Sequence, residues 1–183
     1  MKDKAIRTVI FDYLEENIGK IRIFEESPIN DSRCDFYTVT DKLTGYEIKS
    51  DADSYERLSR QIKDYDVFFD ENYLVVGASH SASAEKKIPP YWGVISVTDT
   101  DGGFVVETRR KAVENPKIRR KNQILKLWNS EITAILKRRK LPVYRGKSKS
   151  FRAGVLVKNV DDEKLRGEIC RELFERDYNL EEN

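Results

Sequence analysis

The chain has 183 residues, of which 39% are hydrophobic and 36% charged, with a formal net charge of +2. That length supports one sizeable core plus an appendage, and no apolar run approaches the roughly 20 residues that a membrane helix needs. Two cysteines give neither a metal-binding spacing nor a disulfide framework, and Met1-Lys2-Asp3-Lys4 lacks a signal peptide's apolar centre, so a cytoplasmic protein with Cys34 and Cys170 reduced and buried is expected.

In chain order, Ile6, Val9, Ile10, Tyr13 and Leu14 fall on one helical face and lead into a strand at 21–24. Strands carrying Asp35 and Glu47 follow. The turn-forming segment Asp41-Lys42-Leu43-Thr44-Gly45 predicts a hairpin between them, with Gly45 free to take a positive φ. Asp53 and Glu56 have the spacing of a capping box ahead of a helix whose apolar stripe is Leu58, Ile62, Tyr65 and Phe69, with Gln61 and Tyr65 on one face. Tyr73-Leu74-Val75-Val76 reads as a central strand buried on both faces. His80, the single histidine, falls in a loop after it. Pro89 and Pro90 precede a strand at 92–97, and Asp99-Thr100-Asp101-Gly102-Gly103 predicts a turn into another at 104–107. Two helices are expected over 118–140, the first carrying Ile124, Leu125, Leu127 and Trp128, the second Ile132, Ile135 and Leu136. A basic loop from 142 to 152 and a last helix with Leu165, Ile169, Cys170, Leu173 and Phe174 on one face complete the pattern, before a frayed tail, Glu181-Glu182-Asn183.

Asp35, then eleven residues, then Glu47-Ile48-Lys49 is the pattern with chemical content. Alternate strand residues share a face, so Glu47 and Lys49 emerge together while Tyr46 and Ile48 face the other way. Hard divalent cations take oxygen ligands, often one or two carboxylates completed by water and substrate phosphate; Asp35 and Glu47 suit that role. A lysine beside them can position a nucleophile or stabilise an oxyanion. Gln61 and Tyr65 are unusual on an apolar stripe, because a buried amide and a buried phenol each need a partner, which a neighbouring carboxylate site would supply.

Asp35, Glu47, Lys49, Gln61 and Tyr65, together with Gly45-Tyr46-Glu47-Ile48-Lys49-Ser50-Asp51, Leu58-Ser59-Arg60-Gln61 and Tyr91-Trp92-Gly93-Val94, resemble the PD-(D/E)XK nuclease superfamily in its RecB-like form with a Q-x-x-x-Y helix. The resemblance spans about residues 1 to 128; Cys34 stands where the superfamily's label has proline. It implies an α/β restriction-endonuclease-like core of order αβββαβ, a central mixed sheet flanked by helices. It also implies Mg²⁺-dependent cleavage of nucleic acid, with Mn²⁺ able to substitute. Asp35, Glu47 and Lys49 would be the catalytic set, Asp35 and Glu47 the metal ligands, and Gln61 and Tyr65 the supporting pair. Glu15, Glu16, Glu25 and Glu26 are candidates for a fourth acid, with Glu25 weighted first.

The +2 net charge conceals an asymmetry. From Arg109 to Arg152 there are 16 Lys and Arg against Glu114 and Glu131, a local +14 that leaves −12 for the rest. Such a block is an electrostatic footprint for a polyanion, carried by Arg109-Arg110-Lys111, Arg119-Arg120-Lys121, Lys137-Arg138-Arg139-Lys140 and the group Lys147, Lys149 and Arg152. The expectation is a nuclease core at 1–114 and a basic helical extension at 115–183, packed on it, gripping DNA in preference to RNA. The alternative is a non-catalytic nucleic-acid- or protein-binding accessory or inhibitor of a mobile element that keeps a nuclease fold.

Overall fold

The computed structural model describes residues 3–178; the expected frayed tail at 181–183 lies outside them. The elements run α1 (Asp3–Ile18), β1 (Arg22–Ile29), β2 (Ser32–Val39), β3 (Leu43–Lys49), α2 (Leu58–Asp66), β4 (Glu71–Gly77), α3 (Ala84–Lys87), β5 (Gly93–Thr100), β6 (Gly103–Arg110), α4 (Arg120–Ile124), α5 (Asn129–Arg138), α6 (Lys149–Asn159) and α7 (Asp162–Glu175). The strands form one mixed sheet in the order β1-β2-β3-β4-β5-β6, with β3/β4 and β4/β5 parallel and β5/β6 antiparallel. The chain divides into two compact units, one of residues up to Thr38 plus Leu43–Ile118, the other of Val39–Lys42 plus Arg119 onward.

In the first unit, α1 buries Ile6, Ile10 and Leu14, one helical turn apart, against Phe36, Tyr46, Ile48, Val75, Ile95 and Val97 of the sheet. Gly19 ends this helix with φ +84° and donates its N–H to Glu15 O, the left-handed C-terminal cap that glycine adopts without steric cost. Every residue of β3 is buried: Tyr46 and Ile48 join the α1-facing core, while Glu47 and Lys49 emerge on the other face, where α2 lies. β4 lies between two parallel partners, and its apolar run Leu74-Val75-Val76 is fully buried, as expected of a strand covered on both faces. Beyond β6, Asn115 donates to the carbonyls of Asp66 and Phe69, and Lys117 donates to Asp66 Oδ2. These bonds hold the segment after the sheet to the end of α2, so the first unit runs to Ile118, beyond residue 114.

Three local expectations are corrected. Asp53 does not cap α2, which begins after Arg57 with no side-chain cap; its carboxylate instead accepts from Ser50 N and Oγ, closing a tight turn of its own. Gly45 lies inside β3 without positive φ. What requires glycine there is the approach of the segment from α2 into β4: a Cβ would stand 2.8 Å from Phe69 Cγ and 2.9 Å from Asn72 Oδ1. Residues 149–159, read in part as loop, form α6, because Ser148 caps it by accepting from Phe151 N, and Ala153 and Leu156 supply its buried stripe.

The second unit packs α4 to α7 around Ile124, Leu127, Ile132, Ile135, Leu136, Leu156, Leu165, Ile169 and Leu173. The first predicted helix stops at Ile124; Leu127 and Trp128 lie in the connection, and Trp128 carries the Arg176 guanidinium over its ring at 4.5 Å. Arg176 also forks onto Glu131 at 2.7 Å from each oxygen, a planar pairing that suits guanidinium and carboxylate. Cys34 and Cys170 are both buried.

Candidate active-site cleft

β3 places Glu47 and Lys49 on the sheet face that α2 covers, and two turns of α2 bring Gln61 and Tyr65 over them. Glu47 Oε1 accepts from Lys49 Nζ at 2.7 Å and from Gln61 Nε2 at 2.5 Å. Its Oε2 lies 2.8 Å from the Tyr65 hydroxyl, which is also 3.0 Å from Tyr46 O and accepts from Asp35 N–H. Lys49 Nζ donates as well to Gln61 Oε1 at 3.0 Å. Asp35 arrives from β2; its Oδ2 accepts from Ile48 N–H at 2.6 Å, so the neighbouring strand's main chain fixes the carboxylate. Arg7 of α1 donates to Asp35 O and stands 3.7 Å from Oδ1. Asp35, Glu47, Lys49 and Gln61 line one open cleft of about 340 Å³, also bounded by Glu26, Arg33, Arg57 and Arg60.

Burial governs the electrostatics. Glu47 is 1% exposed, and desolvation raises its pKa despite Lys49, Tyr65 and Gln61, which all favour the ionised form. The Tyr65 phenol, fully buried beside that carboxylate, is held protonated well above its ordinary range, by burial first and then by the charge of Glu47. The ion pair of Lys49 with Glu47 is therefore a buried pair in which every polar atom has a partner, the condition under which such pairs persist.

Glu25 is not part of the cleft lining. Its carboxylate pairs with Arg7 at 3.1 Å, and Glu26 reaches the same guanidinium at 2.9 Å. Adjacent strand residues ordinarily point to opposite faces; the left-handed Glu26 backbone, φ 49°, lets both carboxylates reach Arg7. Glu26 is the acid that lines the cleft, while Glu15 and Glu16 lie exposed on α1. The sequence reading also left out Arg57 and Arg60 as site residues: Arg57 immediately precedes α2, one turn before Gln61, and Arg60 lies one turn after Arg57; the four-residue spacing from Arg57 to Gln61 was the available signal. His80 donates from Nε2 to the Asp53 carbonyl and packs edge-on against Tyr55, and it is not among the residues lining the cleft.

Of the basic residues expected to grip a polyanion, the ten in the first three clusters separate into two groups. Arg110 donates to the carbonyls of Trp92 and Pro89. Arg120 is buried against Asp162 and Gln123, Arg138 bonds Glu168 and Glu172, and Arg139 bonds Glu168. These four hold the fold together; sequence charge counting sees neither the carbonyls that take up Arg110 nor the α7 acids that pair with Arg120, Arg138 and Arg139. Arg109, Lys111, Arg119, Lys121, Lys137 and Lys140 are exposed.

Among the described residues, no three His, Cys, Asp or Glu side chains are grouped to hold a metal, and no helix is long and apolar enough to cross a membrane. A cation in the cleft would have Asp35 and Glu47 as its side-chain ligands and would take the rest from the main chain, water or phosphate, a coordination shared between protein and substrate that suits Mg²⁺.

Among solved structures, the chain is similar to SPO1766, a protein of unknown function from Silicibacter pomeroyi, at 19% identity and TM-score 0.42, over 55% of this chain and 64% of that one. It is similar also to SfsA of Pyrococcus furiosus, solved in complex with Ca²⁺, at 15% identity and TM-score 0.37 over 63% of each chain. The chain thus covers less than two thirds of either protein. No curated protein matches it. A family model described as bacteriophage P4 protein cII matches residues 1–182, and the chain belongs to the bacteriophage P4 cII family.

Proposed function

We propose that this protein is a Mg²⁺-dependent DNA nuclease of the PD-(D/E)XK type. The observation that carries the reading is the convergence of Asp35 from β2, Glu47 and Lys49 from β3 and Gln61 from α2 on one open cleft, with Tyr65 behind them. The element order from α1 to β4 is the αβββαβ order of that superfamily.

The residues present fit a divalent cation in donor type: two carboxylates line the cleft, Asp35 half-buried and oriented by Ile48 N–H, Glu47 buried behind it. When bound, Mg²⁺ would lower the pKa of a water and screen charge on the phosphate. Lys49, held by Glu47 and Gln61, orients the attacking water and neutralises negative charge developing on the phosphate. Gln61 and Tyr65 keep the Glu47 carboxylate facing its partners, one donor to each oxygen. Arg33, Arg57 and Arg60 at the cleft wall hold flanking phosphates, and exposed Arg109, Lys111, Arg119, Lys121, Lys137 and Lys140 offer further phosphate contacts.

The test is cleavage of supercoiled plasmid, linear duplex and single-stranded DNA, and RNA, with Mg²⁺ or Mn²⁺, beside Asp35→Asn and Glu47→Gln proteins. Cutting lost in both variants supports the reading. A second readout is independent of turnover: Mg²⁺ should raise the Tm of the wild type and not of Asp35→Asn. No cutting, no metal-dependent shift and persistent salt-sensitive DNA binding would replace the nuclease with a DNA-holding accessory protein.

A further inference from the structure

The second unit contains a cleft of its own, about 590 Å³, between the start of α4, the loop before α6 and one side of α6. Phe151 stands in its wall 45% exposed, with the Tyr144 ring edge-on at 5.4 Å and Lys147 Nζ 5.7 Å from its ring centre. Tyr144 is held at φ 55°, a backbone region that costs a tyrosine about 1 kcal/mol or more. Lys121 and Lys158 also line the cleft, and no acid does. Gly154 lies in its floor, in the middle of α6, and a Cβ there would meet nothing within 4 Å. Packing therefore does not require this glycine, which weakens a helix interior; what it supplies is a flat, open floor beside an aromatic ring.

We propose that this cleft binds unpaired DNA, one base stacking on Phe151 over the space above Gly154 while Lys121, Lys147 and Lys158 hold the flanking phosphates. Aromatic platforms joined to cations are how single strands are gripped without sequence preference, since every base has a stacking face. A duplex keeps its bases stacked on each other and offers none to Phe151. Positive charge without a lining acid matches a phosphate backbone. The choice of DNA over RNA rests on the nuclease reading; the cleft itself does not.

The experiment is fluorescence anisotropy of the full chain with labelled oligothymidylate of about twelve nucleotides, an oligouridylate and a DNA duplex of equal length, in EDTA so that no cutting occurs. Oligothymidylate should bind tighter than the other two. Phe151→Ala should weaken it roughly tenfold, the scale of losing one stacking platform. Gly154→Leu, which fills the floor with a better helix former, should weaken it comparably while Tm stays level or rises. Lys121→Ala and Lys158→Ala should each shallow the slope of log affinity against log salt by about 0.7. Wild-type affinity in both Phe151→Ala and Gly154→Leu, equal or tighter binding of duplex, or preference for oligouridylate would overturn the proposal. A protein that cuts plasmid but ignores oligothymidylate refutes this cleft and leaves the nuclease reading intact; one that binds through Phe151 but cuts nothing does the reverse.

Discussion

Replacing Lys49 by Met tests the electrostatic account of the cleft most directly. The ammonium is the only cation hydrogen-bonded to Glu47 among the described residues, and both groups are buried, at 4% and 1% exposure. Methionine nearly conserves volume, so the main loss is the partner charge. Removing one member of a buried pair costs about 3–5 kcal/mol, a large share of a total stability on the order of 5–15 kcal/mol. That cost must depend on pH. Burial already raises the Glu47 pKa, and without Lys49 two of the influences that lower it vanish. A carboxyl whose folded pKa lies above its unfolded value has its full stability below the unfolded pKa, about 4.3, and loses it as pH rises through the folded pKa. Lys49→Met should therefore be mildly destabilised at about pH 5 and strongly at about pH 8. Glu47→Gln/Lys49→Met should recover much of the loss, because no charge is then left buried. Urea unfolding, followed by Trp92 fluorescence in a Trp128→Phe background, reads all of this. A destabilisation equal at both pH values, or a double variant as costly as the two singles combined, refutes the reasoning.

Gly45→Ala should cost about 1–3 kcal/mol in urea unfolding through its collision with Phe69 and Asn72; a neutral outcome would mean that these two side chains yield easily. Arg120 holds Asp162 by a two-pronged bond and lowers its pKa. A depressed carboxylate contributes stability above its unfolded pKa, about 3.9, and loses it as pH falls through the folded value. The second unit should thus lose stability in acid. The amount should be below about 1 kcal/mol because the Asp162 side chain is 67% exposed, and Arg120→Ala should abolish that dependence. An unchanged acid limb in calorimetry counts against the pairing.

The periodicities that made α1, β3, α2 and β4 legible are those of elements with one clear apolar face or two. Glu47 and Lys49 could be placed together because a strand's two-residue period is unambiguous, and Gln61 with Tyr65 because four residues make about one helical turn. α6 was hidden because Arg152 is buried beside Ala153 and Leu156, so its stripe includes a charge that donates to Thr133 Oγ1. Arg120, Arg138 and Arg139 could not be told from the exposed cations, since Asp162, Glu168 and Glu172 meet them only after the chain returns through α7. The Glu26 backbone is set by context in the same way: nothing local demands a left-handed glutamate, and only Arg7, from another element, gives both carboxylates a reason to converge.

The Tyr65 hydroxyl carries a single hydrogen yet faces two acceptors, Glu47 Oε2 and the Tyr46 carbonyl. An ionised Glu47 draws that hydrogen to itself. Once the carboxyl is protonated it is the weaker acceptor, and the hydrogen swings to the strand's main chain. The phenol is thus a built-in indicator of the carboxylate's charge, and the Tyr46 carbonyl stretch, shifting as the bond is made or broken, would record each proton that Glu47 takes up or releases.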